Sequence, residues 1–208
     1  MKMLFAVVTL LTFFSLKVDG QQADKVSLGV YYETLCPDSI AFITYQLYPT
    51  IQSLGLEKIN VDLVPFGKAS WTESGSTISF SCQHGERECK GNKIQACAKS
   101  ELDTSALIKF VNCMESASSP DRAGKSCAQK QGLNYTTIEN CANGAKGSQL
   151  LKEQGVATKS LVPKPNFIPW ITVNNQHTSD IQNRALDDLK GLLCDSFPQG
   201  ATKPSGCK

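Results

Sequence analysis

The sequence predicts an α/β protein with a disulfide-rich, mainly helical insertion, and three observations support this fold class. β-branched and aromatic residues from Val26 to Tyr32 are typical of a buried strand, and apolar residues at helical spacing follow soon after. Six of the nine cysteines fall in a middle segment, about residues 67–143, whose pattern favours short helices. The length of 208 residues fits one domain with such an insertion.

The composition narrows the class of protein. With 41% hydrophobic and 19% charged residues, the chain is not of the disordered class. A formal net charge of +2 without a basic cluster gives no indication of nucleic-acid binding. Nine cysteines in a chain of this size indicate disulfides formed in an oxidising compartment.

The N-terminus is consistent with export. Lys2 precedes an apolar run from Met3 to Leu16, and Gly20 ends a segment suited to cleavage, which is the pattern of a secretory signal peptide. The run is shorter than the roughly 20 residues that span a bilayer, so we expect no membrane span. We therefore predict a signal peptide over residues 1–20, a single domain over residues 21–208, and a secreted, extracellular protein, with the lysosome as the alternative location.

The core elements follow from hydrophobic spacing and from turn residues. A helix is expected after Pro37, because proline suits the first helical position. Further expected elements are a strand over Ile59–Phe66, a loop over Gly155–Pro165, a proline-interrupted strand over Phe167–Val173, an Asn174-Asn175 hairpin turn into another short strand, and a last helix starting at Ser179 or Asp180. The apolar residues expected on that last helix are Ile181, Leu186, Leu189, Leu192 and Leu193.

The first candidate site is Cys36-Pro37-Asp38-Ser39, at the predicted strand-to-helix turn. Free backbone N–H groups and the helix dipole stabilise a thiolate at such a position, whereas the negative charge of Asp38 opposes it. A thiol–disulfide enzyme uses a second cysteine three residues on to resolve the mixed disulfide, and here Ser39 occupies that position. From these residues alone, Cys36 is either a reactive thiol or a structural disulfide partner.

The second candidate site is the run from Cys82 to Cys97, with the sequence C-Q-H-G-E-R-E-C-K-G-N-K-I-Q-A-C. Three cysteines and His84 resemble a zinc site. The cysteine spacing is poor for a zinc knuckle, however, and an oxidising compartment favours disulfides. We therefore expect no metal and no cofactor.

This run is similar, position for position, to the signature of the gamma-interferon-inducible lysosomal thiol reductase (GILT) family, C-Q-H-G-x-x-E-C-x-x-N-x-x-x-x-C. The resemblance extends to the region around Cys36 and to the Phe167–Asn174 segment. It implies a thioredoxin-like core with a mainly helical insertion, and reduction of protein disulfides in acidic compartments by a C-x-x-C pair.

Carried over to this chain, the resemblance assigns Cys36 as the nucleophile and Ser39 as the replacement for the resolving cysteine. It also makes Pro169 the candidate cis-proline beside the catalytic thiol. His84 is then expected to be structural, in a tight turn before Gly85, with proton donation to the thiol as the alternative. The other signature residues are expected to stabilise the insertion through disulfides and turn contacts.

The substitution at Ser39 leads to different functional hypotheses. The first is a pseudoenzyme whose ordinary dithiol reductase activity is lost or much reduced and which binds a protein or cell-surface ligand. The alternative is an active thiol–disulfide oxidoreductase that uses Cys36 alone on disulfide-containing proteins, with an external thiol resolving the intermediate. A third is a trap that holds substrates as stable mixed disulfides.

Two further predictions concern covalent structure. With Cys36 unpaired, the other eight cysteines can form four bridges, and an unpaired Cys36 predicts mixed disulfides or a Cys36-linked dimer. Cys194 with Cys207 is one expected pair; the other expected disulfide cysteines are Cys82, Cys89, Cys97, Cys113, Cys127 and Cys141. Asn134 begins the N-glycosylation sequon Asn134-Tyr135-Thr136, so this residue is the candidate glycosylation site of a secreted glycoprotein.

Overall fold

The core of the protein is a mixed β-sheet, seen in a computed structural model that describes residues 25–208. The signal peptide predicted for residues 1–20 lies outside the described residues. Strand β1 (Val26–Tyr32) is central, parallel to β2 (Ile59–Pro65) on one side and antiparallel to β5 (Trp170–Val173) on the other. Alternate residues of β1 are fully buried, as expected for a central strand.

A long helical stretch connects β1 to β2. Helix α1 (Pro37–Ala41) begins at the predicted proline, continues through a π-helical segment (Phe42–Leu47) and leads into α2 (Tyr48–Leu54). Gly55 ends the stretch with a positive φ of 71°, a conformation that glycine adopts without a steric penalty. The predicted strand, cysteine turn and helix are therefore all present in this order.

The middle of the chain differs from the prediction of short helices alone. It begins with a β-hairpin formed by β3 (Ser70–Ser74) and β4 (Thr77–Ser81), in which Trp71 lies opposite Phe80. The helices that follow are α3 (Glu86–Glu101), α4 (Thr104–Glu115), α5 (Gly124–Lys130), α6 (Tyr135–Asn143) and α7 (Ala145–Lys159). Helices α3 and α7 both contact β2, so this segment packs directly on the sheet.

Four disulfides join the eight cysteines other than Cys36. The bridges are Cys82–Cys89, Cys97–Cys141, Cys113–Cys127 and Cys194–Cys207. Three of them lie within the middle segment, and the fourth attaches the C-terminal residues to the last helix, α8 (Ser179–Asp195). Cys36 is the free cysteine of the chain.

Several predicted boundaries were wrong. The loop expected from Gly155 begins only after α7 ends at Lys159, and the strand expected from Phe167 begins at Trp170. Across the described residues 25–208, no strand follows the Asn174-Asn175 turn; the chain makes a single bridge between Val173 and Gln176 and then enters α8.

The last helix also differs in detail from its prediction. Its N-terminal cap is Thr178, whose hydroxyl accepts a hydrogen bond from the Ile181 N–H, rather than Ser179 or Asp180. Leu186 is 43% exposed instead of lying in the core, whereas Leu189 is fully buried. Within the described part of the chain, no helix is long and apolar enough to cross a membrane.

Candidate functional site

The free thiol lies at the start of the long helical stretch. Cys36 is the N-cap residue of α1, and its backbone carbonyl accepts the hydrogen bond of the Ile40 N–H. Its side chain is buried, and the Sγ–H donates to the backbone oxygen of Ile168 over 3.7 Å. The thiol therefore has both the helix N-terminus and the segment before β5 as neighbours.

Ser39 lies one helical turn inside, in the position that the resolving cysteine would occupy. The side chain is completely buried, and its Oγ accepts a hydrogen bond of 3.3 Å from the Glu33 N–H. The hydroxyl thus fixes the end of β1, but a serine hydroxyl cannot attack a mixed disulfide. Among residues 25–208, the only free thiol is that of Cys36.

Pro169 follows Ile168, whose backbone oxygen accepts from the thiol, and the Ile168–Pro169 peptide bond is cis. The segment is held by Gln182 of α8, whose Nε2 donates to the Pro169 carbonyl over 3.0 Å while its Oε1 accepts from the Ile171 N–H over 3.0 Å. Sequence reasoning missed Gln182. The available signal was a polar residue at the head of the apolar positions Ala185 and Leu189 of the same helix.

A groove of 490 Å³ is lined by Asp38 of α1 and by Ile168 and Pro169, the segment whose Ile168 oxygen contacts the thiol. Its apolar lining residues are Ala41, Phe42, Tyr45, Phe167, Ile168, Pro169 and Leu186. Three of these side chains are solvent-exposed, Tyr45 at 78%, Leu186 at 43% and Phe167 at 38%. Exposed apolar side chains gathered around a concave surface are typical of a binding site for another molecule.

The signature run contacts the turn before Cys36 through one face of α3. Gln95 accepts a hydrogen bond from the Tyr32 hydroxyl, and Asn92 Oδ1 accepts from both the N–H and the hydroxyl of Thr34. These polar side chains are buried, so each bond forms away from water. The turn contacts expected of the signature residues therefore extend to the turn that precedes Cys36.

His84 and Glu88 complete this contact at Glu33. The His84 Nδ1 hydrogen-bonds to Glu88 Oε2 and lies 3.8 Å from Glu33 Oε2. Burial raises the pKa of the Glu33 carboxyl, the Lys68 N–H that donates to it opposes this shift, and the nearby Glu88 carboxylate raises the pKa further. His84 is therefore in the turn before Gly85, as predicted, and its imidazole faces two buried carboxyl groups.

The predicted disulfide cysteines next to this cluster are paired, and the candidate glycosylation site lies at another helix. Cys82 and Cys89 bind each other and so are not metal ligands. Asn134 is exposed at the N-cap of α6, where its Oδ1 accepts from the Thr136 N–H over 3.2 Å. Its position on the surface leaves the side chain accessible to modification.

Comparison with known proteins identifies the family of the chain. Residues 27–131 match the family model described as gamma interferon inducible lysosomal thiol reductase (GILT). GILT-like protein 1 of Drosophila melanogaster is 36% identical, over 88% of this chain and 83% of its own. The gamma-interferon-inducible lysosomal thiol reductase of Carassius auratus is 34% identical, over 89% of this chain and 73% of its own.

Solved structures show the same core fold. A thioredoxin-like oxidoreductase from Silicibacter pomeroyi superposes with a TM-score of 0.53 at 10% identity, covering 82% of this chain and 90% of its own. Chlamydia trachomatis DsbA superposes with a TM-score of 0.51 at 13% identity, covering 80% of this chain and 87% of its own. These similarities show a thioredoxin-like fold, and the family match together with the curated relatives shows that the chain belongs to the GILT family.

Proposed function

We propose that this GILT-family protein binds disulfide-containing proteins at the groove beside Cys36 and does not complete a dithiol reduction on its own. The observation that carries the proposal is the pairing of the cysteines. Cys36 is the free thiol, and the other eight cysteines form four bridges. Ordinary reductase turnover is then lost or much reduced, and the protein acts mainly through binding.

The chemistry available to one thiol is a single exchange. The Cys36 thiolate attacks one sulfur of a substrate disulfide, so that a Cys36–substrate disulfide forms and the other substrate sulfur leaves as a thiolate. A resolving thiolate would next attack Cys36, forming an internal disulfide and releasing reduced substrate. Ser39 cannot supply that thiolate, so the reaction stops at the mixed disulfide or reverses.

The groove supplies the recognition. Tyr45, Phe167 and Leu186 present apolar surface in the groove that Ile168 also lines, so a partner segment with apolar residues near its cysteine buries area there. Tyrosine and phenylalanine lose little conformational freedom on binding, which favours them as contact residues. We propose an exposed, apolar-flanked cysteine loop of a protein as the bound segment.

The alternative function is monothiol oxidoreduction. The contact of the Cys36 Sγ with the backbone oxygen of Ile168 supports it, because Ile168 also lines the open groove, so a small external thiol bound there would lie near the sulfur. One external thiolate would attack the Cys36 sulfur of the mixed disulfide, which releases the reduced substrate as a thiolate and leaves the external thiol disulfide-bonded to Cys36. A second external thiolate would then attack the external sulfur of that bond, forming the oxidised external disulfide and releasing Cys36 as a thiolate. A stable trap is the same scheme without an external thiol.

The test is a single-turnover assay. The protein is first reduced and the free reductant is removed, and an equimolar disulfide-linked reporter protein is then added at pH 4.5 or pH 7. Wild type, Cys36→Ala and Ser39→Cys are compared on non-reducing gels and by intact mass. We expect no net reporter reduction by wild type, mixed disulfide at most, reduction by Ser39→Cys, and neither product with Cys36→Ala. Wild-type reduction equal to that of Ser39→Cys would overturn the proposal.

A second arm separates the two functions. Glutathione is added in excess, and wild-type reporter reduction is compared with the uncatalysed rate. No acceleration supports the binding function, whereas acceleration that disappears in Cys36→Ala establishes the monothiol cycle and rejects the binding function as the main role. A Cys36-linked dimer would appear on the same gels as a band that reductant removes.

We further propose that the chain is exported after removal of residues 1–20 and acts outside the cell or in lysosomes. Four disulfides and the exposed Asn134 support an oxidising compartment and glycosylation there. The proposed product is one domain, residues 21–208, with an insertion over about 67–143. Enzymatic deglycosylation of secreted wild type and Asn134→Gln tests the glycan, since only wild type should lose mass.

A further inference from the structure

The cluster of Glu33, His84 and Glu88 has the donor groups of a metal site, although none of its members is a cysteine. One ligand atom from each residue falls within 4.8 Å of the other two. Glu33 follows β1, whereas His84 and Glu88 come from the start of the α3 region, so the three converge from distant parts of the chain.

The second oxygen of each carboxyl group is fixed by the backbone. The Lys68 N–H donates to Glu33 Oε1 over 2.5 Å, and the His84 N–H donates to Glu88 Oε1 over 3.1 Å. The two Oε2 atoms are thereby directed toward the imidazole Nδ1. Hydrogen bonds that orient ligand carboxylates in this way are a regular feature of metal centres.

Glu33 provides an independent indication of a missing partner. Its side chain is fully buried, yet its Oε2 has no hydrogen-bond partner among the described residues. Glu88 is also fully buried, and its Oε2 contacts the same His84 Nδ1. Two buried carboxylates facing a single imidazole leave negative charge that burial makes costly. A divalent cation would neutralise it.

We propose that Glu33, His84 and Glu88 form a binding site for a divalent transition-metal ion of the zinc class. One imidazole nitrogen and two carboxylate oxygens are zinc ligands, bound at about 2.0–2.2 Å, and zinc commonly takes three protein ligands plus water. The His84 side chain is 32% exposed, which leaves a side open to solvent for that water. The ion would link the turn before Cys36 to α3.

Only a small movement of the three side chains is required for them to coordinate the ion. Oxygen and nitrogen ligands about 2 Å from a tetrahedral ion lie about 3.3 Å apart. The 3.8 Å between His84 Nδ1 and Glu33 Oε2 is close to this separation, whereas the His84–Glu88 pair must open. Because His84 is at a partly exposed turn, its imidazole can rotate to do so. The proposal is independent of the redox function proposed for Cys36.

The test uses the full chain, without a histidine tag, carrying Cys36→Ala so that the free thiol cannot bind metal. Zinc chloride is titrated into chelator-treated protein at pH 7.4 by calorimetry, with a chromophoric chelator as competitor. We expect one equivalent of zinc to bind, His84→Ala and Glu33→Gln each to weaken binding at least tenfold, and magnesium to give no heat.

The matched controls are His177→Ala, at the other histidine of the chain, and Glu101→Gln, at a carboxylate outside the cluster. Both should bind zinc like the parent. Zinc should also raise the melting temperature of the parent but not of His84→Ala. Absence of stoichiometric binding, or binding unchanged in His84→Ala, would overturn the site. If Glu33→Gln fails to fold by circular dichroism, the partly exposed His84 variant decides the question.

Discussion

Asn92 receives two hydrogen bonds from Thr34, one from the backbone N–H at 3.0 Å and one from the hydroxyl at 2.6 Å. Both residues are completely buried, and Thr34 lies two positions before Cys36. A side chain of α3 therefore supplies the hydrogen-bond partner of the turn that carries the thiol. The turn depends on a helix about sixty residues away in sequence for its conformation.

Asn92→Ala should destabilise the protein strongly. The substitution leaves the buried Thr34 N–H and hydroxyl without an acceptor, and each such group costs about 1–3 kcal/mol. Urea unfolding should show the loss, and Thr34→Val combined with Asn92→Ala should cost less than the sum of the single changes. Additive values would show that the two residues are not coupled.

Gly91→Ala should be destabilising although alanine is the better helix former by about 1 kcal/mol. A Cβ at position 91 would lie 2.9 Å from the Thr34 Cβ, closer than two carbon atoms can approach. The added methyl group must push α3 away from the turn. Thr34→Gly removes those atoms, so melting temperatures should show that Gly91→Ala costs less in that background than in wild type. An equal cost in both would reject the contact.

Glu115→Gln should change the pH dependence of stability. Burial raises the pKa of the Glu115 carboxyl from 4.5 to about 8, against the opposing hydrogen bond from Gln95. The folded state then holds a proton that the unfolded state releases between these values. The stabilisation is complete below about pH 4.5 and is lost as pH rises through about 8, by at most about 1.4 kcal/mol per pH unit.

The measurement is the free energy of unfolding of wild type and Glu115→Gln at intervals from pH 4.5 to pH 8.5. Glutamine keeps the acceptor for the Gln95 Nε2, which lies 2.5 Å from Glu115 Oε1. The free energy of unfolding of Glu115→Gln should therefore rise relative to that of wild type as pH increases. A constant difference across this range would show that Glu115 does not titrate in it.

Removing the Cys97–Cys141 disulfide should lower the stability of the protein more than removing Cys82–Cys89. Cys97–Cys141 closes a loop with a sequence separation of 44, whereas Cys82–Cys89 spans 7. Loop-closure entropy predicts that the longer bridge contributes about 1.5 kcal/mol more. Paired alanine substitutions, compared by denaturant unfolding, should show the larger loss for Cys97–Cys141. An equal or reversed order would mean that packing of the replaced side chains outweighs the loop entropy.

Tyr45→Ser should slow mixed-disulfide formation with apolar-flanked cysteine peptides by about fivefold or more, as expected for loss of an aromatic contact worth over 1 kcal/mol. Because Tyr45 is 78% exposed, stability should change little. The matched control is Val162→Ser, since Val162 is 92% exposed and is not among the groove residues. Equal rates in wild type and Tyr45→Ser would show that the groove does not contact the peptide.

Local patterns were sufficient to predict the strand, turn and helix around Cys36. The alternating burial of β1 and the proline at the start of α1 are both determined by neighbouring residues. The β3–β4 hairpin was missed although Trp71 and Phe80 flank a turn at Gly75, because the cysteine-rich context suggested helices. Its strands are mostly exposed, with only Trp71, Ile78 and Phe80 partly buried, so their hydrophobic alternation is weak.

The polar contacts of the candidate site could not be predicted from spacing alone. Glu33 is a charged residue after a strand, a position that is usually exposed, and only the fold brings His84 and Glu88 to it. The clue in α3 was the spacing of Glu88, Asn92 and Gln95, which places three polar residues on one helix face. Nothing in the sequence indicated that this face is the buried one.

The buried polar face of α3 also determines how this helix is positioned against the turn before Cys36. Apolar surfaces can slide over each other with little change in energy, whereas hydrogen bonds to Tyr32 and Thr34 require matched positions along α3. Displacing the helix by one residue would rotate the matching side chains away and leave several buried polar groups unpaired at once. The contact between α3 and the turn therefore sets the position of the helix along the turn. The backbone geometry around Cys36 is fixed in this way before any partner binds.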